Sequence, residues 1–207
     1  RVTTGAIVQR QPFGGVGKSA FGPGIKAGGP SYVAQLMVFR DVAGAETPLV
    51  ELVNPALAEL ALALSRCDDE LGGLSTREVE RIIGAMRSYD QRHVEEFGAT
   101  HDHQRLVGQD NLRRYRPVSS LRVRVHPDDD AFEIFARVAA ARTVGCRVTV
   151  STPPGSSSSA VRLLDELTQS WAASIEFVEE TDEALARIIG ERQVDRLRYA
   201  RPERVPL

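Results

Sequence analysis

The stretch SSLRVRVHPDDDAFEIFARVAAARTVGCRVTVS, residues 119–151, contains a strand, a helix and a second strand in that order. The β-branched alternation predicts strands over 119–124 and 147–151, and the apolar spacing between them predicts a helix from about Asp129 to Thr143. The same alternation continues outward. A helix is expected from Ser159 to Trp171, a strand over 174–179, a helix from Asp182 to Arg192 and a strand over 196–200. Strands that alternate with helices of about 10 to 15 residues make βαβ units. The fold class is therefore α/β, a Rossmann-like parallel sheet with helices on both faces, in a region spanning 108–207.

Towards the N-terminus the period changes. From about 51 to 107 the pattern is helical, with Leu57, Leu60, Ala61 and Leu64 on one stripe and Val79, Ile82, Ile83 and Met86 on another. Ser75 and Glu78 form a capping box for the second helix, and Gly98 is its expected stop. This reads as a helical connector, residues 41–107. Before it, residues 1–40 hold eight glycines between positions 5 and 29, out of 17 in the chain. The opening RVTTGAIV reads as a strand entering a loop, without a starting methionine, and the chain as a piece of something longer.

That loop, RQPFGGVGKSAFGPGIKAGGP (residues 10–30), interleaves Phe13, Val16, Phe21 and Ile25 with its glycines, more apolar surface than a flexible linker carries. Glycines let a backbone approach a ligand closely. N–H groups around Gly17, Ser19 and Ala20 can hold a carboxylate, while Phe13 and Phe21 can wall a small aliphatic chain. A structural Ω-loop is the alternative.

Bulk properties exclude several classes. A net charge of −2 and a pI near 6 leave no basic field for nucleic acid. No apolar run approaches the roughly 20 residues that span a bilayer, and the two cysteines, Cys67 and Cys146, lack the spacing of a zinc site or disulfide framework. A cytoplasmic protein is expected. Cys67, in SRCDDE, lies beside acids that disfavour its thiolate, and Cys146 reads as a small core residue. His93, His101 and His103 lie near Glu95, Glu96 and Asp102, but their spacing matches no closed metal site, so no metal is expected. No G-x-S-x-G signature occurs, and no catalytic residue is assigned. TPPGSSSS, residues 152–159, joins a strand to a helix. It could receive an anion at the helix N-terminus, although it lacks the lysine and glycine pattern of a phosphate loop and its serines also serve as an N-cap.

The run TGAIVQRQPFGGVGKSAFGPGIKAGGPSYV, residues 4–33, resembles the C-terminal end of the catalytic domain in the aldehyde dehydrogenase superfamily. PFGG at Pro12–Gly15 is general to it. GKSAFGPGIKAGGP at Gly17–Pro30 is similar to the L-glutamate gamma-semialdehyde (1-pyrroline-5-carboxylate) dehydrogenase branch, as found in bifunctional proline utilization A proteins. The resemblance implies a substrate-binding set of Phe13 on the aldehyde pocket and Ser19 and Ala20 on the substrate carboxylate, with Gly17 and Phe21 beside them. It also implies that the thiol nucleophile, the general base and the NAD site precede this stretch. NAD would then be bound outside this chain, FAD would belong only to a preceding proline dehydrogenase domain, and the chain alone would be inactive.

From about 41 onward the chain resembles the C-terminal extension of longer members, a degenerate aldehyde dehydrogenase nucleotide domain, with GQDNLRRYRP at Gly108–Pro117 near its start. Where the superfamily has a lysine after a strand, this chain has Ser151 or Thr152. Where it has a glycine turn facing phosphate, this chain has YARPE at Tyr199–Glu203. Both departures speak against NAD in this region. The expected partners are L-glutamate gamma-semialdehyde, the remaining dehydrogenase domains and a possible oligomer contact. The rival reading is a non-catalytic nucleotide-binding or protein-interaction module that uses the 152–159 loop.

Overall fold

The structure is a computed structural model that describes residues 13–15, 19, 27, 32–38, 40, 50–67, 73–103, 105, 107, 108, 110 and 112–205. It divides into two compact units, one of residues 1–46 with 100–113 and the other of residues 47–99 with 114–207. The helices read as a connector thus share a unit with the sheet.

In that second unit, α1 (Pro55–Arg66) begins where the Asn54 side chain accepts the Ala56 and Leu57 N–H groups, with proline at the first helical position. Its stripe Leu57, Leu60, Ala61 and Leu64 is buried. The next helix, α2 (Thr76–Arg92), starts at the expected capping box: the Ser75 N–H donates to Glu78 Oε2 at 2.9 Å and the Glu78 N–H returns to Ser75 Oγ at 3.3 Å. It runs on through a π turn, His93–Phe97, before Gly98.

Four strands follow, β1 (Ser120–Arg124), β2 (Arg147–Thr152), β3 (Ile175–Glu179) and β4 (Arg196–Arg198), separated by α3 (Ala131–Thr143), α4 (Ser159–Leu167) and α5 (Asp182–Gly190). The sheet is wholly parallel in the order β3-β2-β1-β4. This is the order of the first half of a dinucleotide-binding fold, with the reversal between β1 and β4. A second capping box, Asp130 with Glu133, sets the start of α3. Gly145 ends it in the left-handed region at φ 79°, so that the Cys146 N–H can return to the Ala141 carbonyl at 3.0 Å. The expected helix over 159–171 is shorter. Thr168 bonds back to the Leu164 carbonyl at 2.7 Å, and the chain continues as a 3-10 segment, Gln169–Ser174, which still buries Trp171.

Parallel sheets are usually apolar on both faces; this one is not. Leu121, Val123, Val148, Val150 and Ile175 point to the face that packs on Ile134, Phe135 and Val138 of α3 and on Leu163 and Leu164 of α4. The alternate positions carry Arg122, Arg124, Thr149 and Ser151, and Arg124 reaches Asp182 in the first turn of α5. The core therefore lies on one face, joined by α1 and α2, and the opposite face is polar, with Arg124 bound to Asp182 at the C-terminal end of β1.

Candidate functional site

The glycine loop is pinned in the first unit by a pair of backbone bonds. The Phe13 N–H donates to the Ala27 carbonyl at 3.0 Å and the Ala27 N–H to the Phe13 carbonyl at 2.8 Å, an isolated antiparallel bridge. The loop between them is thereby closed at its base. Gly15 lies so near Ser19 that a Cβ on it would collide with the Ser19 carbonyl, and only glycine allows that approach. Phe13 is 62% exposed and Ser19 is also exposed, so among the described residues neither is covered. Gly17, Ala20 and Phe21 lie outside the described residues. Sequence reasoning named Phe13 and Ser19 but not the role of Gly15, although the second glycine of PFGG was the signal.

The second unit places its polar chemistry at the C-terminal ends of β1, β2 and β3. Arg124 is 3% exposed. Its guanidinium donates to Ser151 Oγ at 2.9 Å, to the Glu180 carbonyl at 3.0 Å and to Asp182 Oδ1 at 2.6 Å. Ser151 in turn donates to Glu180 Oε1 at 2.5 Å, which also takes Arg122 at 2.5 Å. Ser151 is thus engaged within the protein on both sides.

The turn from β1 into α3 reads HPDDD and contains no glycine. A dinucleotide fold uses that turn and the helix after it to receive pyrophosphate. Here the Asp129 side chain is fully buried, paired with Arg204 at 2.5 Å and with Arg137 at 3.6 Å. Glu133 accepts from Arg204 at 2.9 Å and from Arg201 at 3.0 Å. Arg201 of YARPE and Arg204 just after it therefore send two guanidinium groups onto the helix's own carboxylates. A phosphate arriving there would meet the exposed carboxylates of Asp128 and Asp130, which do not suit the pyrophosphate of NAD.

Burial of Glu133 raises its carboxyl pKa, but the Asp130 N–H and the guanidinium groups of Arg201 and Arg204 outweigh it and hold the group at about 2, below its ordinary 4.5. The unfolded chain binds the proton more readily, so this contribution to stability is complete above pH 4.5 and is lost as pH falls towards 2. In Glu133→Gln the fall in unfolding free energy across that acid window should be shallower, measured by urea unfolding at several pH values. A slope equal to that of the unaltered chain would remove the network from the account.

The 152–159 loop caps α4 through Ser158 Oγ, which accepts the Val161 N–H at 3.3 Å. A cavity of about 340 Å³ lies against it, lined by Pro127 and residues 153–158 with no cation among the described residues. Cys67 is half-buried at the C-terminus of α1, and Cys146 is buried in the core, where burial raises its thiol pKa. In the first unit the His101 and His103 rings stack with centroids 5.1 Å apart, and Arg113 lies 2.9 Å from His103 Nε2. His93 belongs to the second unit. No helix of the described residues is long and apolar enough to cross a membrane.

No family model matches the chain, and no curated protein matches it. Among solved structures it is similar to proline utilization A (PutA) from Corynebacterium freiburgense, with 29% sequence identity and a TM-score of 0.52. The match covers 86% of this chain and 17% of that one.

Proposed function

We propose that the chain is part of an NAD-dependent dehydrogenase that oxidises L-glutamate gamma-semialdehyde to L-glutamate in proline catabolism, to which it contributes a substrate-carboxylate anchor and an architectural Rossmann-like module. The observation that carries this reading is the joint likeness in sequence and fold to a proline utilization A protein over 86% of the chain. It coincides with the motif GKSAFGPGIKAGGP. The chain spans only 17% of that structure, so the redox chemistry and the NAD site are assigned to parts of the full protein outside it.

In this reading the loop closed by Phe13 and Ala27 presents backbone N–H groups around Ser19 to the substrate carboxylate, and Phe13 flanks the aliphatic chain. The exposure of Phe13, Val33, Leu36 and Val38 supports it, because a piece of a larger catalytic domain leaves apolar residues for the rest to cover. The acids at the start of α3 support an architectural role for the Rossmann-like module. The rival, a nucleotide-binding loop at 152–159, has a cavity in its favour, but no cation lines it among the described residues, and Arg162 donates to the Ser157 carbonyl at 3.0 Å.

Ser19→Pro removes a backbone donor from the anchor. In the full-length enzyme it should raise the KM for glutamate semialdehyde by about tenfold or more, the worth of a charged hydrogen bond, and leave the KM for NAD unchanged. An unchanged semialdehyde KM would refute the assignment.

A further inference from the structure

The second unit holds a concavity that none of the residues at the C-terminal edge of β2 lines. It is a cleft of about 870 Å³ on the α3 face of the sheet, within the size range of small-molecule sites. Its floor is apolar: Val118, Leu121, Ala140, Ala141, Val144 and Cys146. At one end stand Phe97 and Tyr115, whose rings meet edge to face with centroids 4.9 Å apart.

Charge in the cleft is one-sided. Arg116, Arg137, Arg196 and Arg198 line it, and no aspartate or glutamate does among the described lining residues. The register puts Arg196 beside Leu121 and Arg198 beside Val123, so both arginines rise from β4 on the same face as the apolar floor. Both are exposed, and among the described residues no ion pair holds either away. Asp195, next to Arg196 in sequence, accepts the Ser119 and Ser120 N–H groups at 2.9 and 3.0 Å, and Asp129 holds Arg137 and Arg204. His93 adds a buried Nδ1 without a hydrogen-bond partner. An apolar floor beneath a rim of arginines suits a ligand with an apolar body and an anionic head, since guanidinium groups match carboxylate and phosphate oxygens in pairs.

We infer that this cleft binds an amphipathic small-molecule anion, its carboxylate or phosphate held by Arg196 and Arg198 and its apolar part on the floor between α3 and β1.

Titration calorimetry with decanoate, decyl phosphate and decanol tests it on the full chain. Decanoate or decyl phosphate should bind saturably, and whichever is tighter identifies the head group, while neutral decanol should bind at least about tenfold more weakly. The double variant Arg196→Gln with Arg198→Gln should weaken the anion by about tenfold or more. Because both arginines are exposed, circular dichroism of that variant should match the unaltered chain. Ala140→Phe, which fills the cleft with a ring, should abolish binding of the anion and leave binding elsewhere untouched. Absence of saturable binding, equal affinity for decanol, or an affinity unmoved by the arginine substitutions would overturn the proposal. So would displacement of decanoate by a leucine- and glutamate-rich peptide that binds more tightly, which would assign the cleft to a docked protein segment.

Discussion

Arg124→Ala should destabilise the sheet-bearing unit by about 2–3 kcal/mol, the cost of taking a charged donor away from buried acceptors. The side chain is 4% exposed and lies where β1 ends. It binds three groups from two other segments: Ser151 on β2, and Glu180 and Asp182 at the start of α5. Alanine would leave Ser151 Oγ and the Glu180 carbonyl without this donor and Asp182 without its cation. It would also open a void on a face that has no apolar core to collapse into it. The effect should appear as a lowered urea midpoint without a change in slope. Arg122→Ala should cost less, because Glu180 keeps Ser151 and Arg124 close by. A loss below about 1 kcal/mol for Arg124→Ala would mean that water replaces the guanidinium, and the polar face would then be an ordinary solvated one.

Asp90→Ala should cost about 2–3 kcal/mol, from two N–H groups losing their acceptor. Asp90 is 4% exposed, in the last turn of α2. Its Oδ2 accepts the Val53 N–H at 2.5 Å and the Asn54 N–H at 3.0 Å, so it fixes the residues that begin α1. Through them it sets how Leu57, Leu60 and Leu64 enter the core. Hydrogen exchange should show the Val53 and Asn54 amides losing protection first, with α1 following. Asp90→Asn, which retains an accepting oxygen, should recover part of the stability. Full protection in the alanine variant would show that α1 is held by its apolar stripe alone.

These two residues mark where the sequence stopped being informative. The strands, their parallel arrangement and both helical stripes follow from local period, so SSLRVR and RVTVS were legible as strands and Ser75 with Glu78 as a helix start. Local period cannot show which residues distant in sequence meet. Asp90 reads as one more acid on a polar stretch of helix, and only the fold brings it to Val53, 37 positions away. Arg122 and Arg124 are visible as alternation, but alternation in a parallel sheet does not say that Arg124 will be buried and bound to Ser151 and Asp182. The helix over 159–171 was overextended because Trp171 continues the apolar stripe, while the back-bond from Thr168 ends the helix earlier.

The anchor loop shows the same division. Its composition pointed to a ligand and its motif to a carboxylate, and Phe13 and Ser19 carry those roles in the proposed function. The closure by Ala27 and the approach of Gly15 to Ser19 depend on a turn that no period announces.

Gly15 also gives the most direct test of the account. In the full-length enzyme, kcat/KM of Gly15→Ala should be compared for glutamate semialdehyde and for propionaldehyde, which has no carboxylate to anchor. A Cβ at Gly15 must push the Ser19 backbone aside. The account predicts a fall of about tenfold or more for glutamate semialdehyde and little change for propionaldehyde. Equal losses on both substrates, or no loss on either, would contradict it.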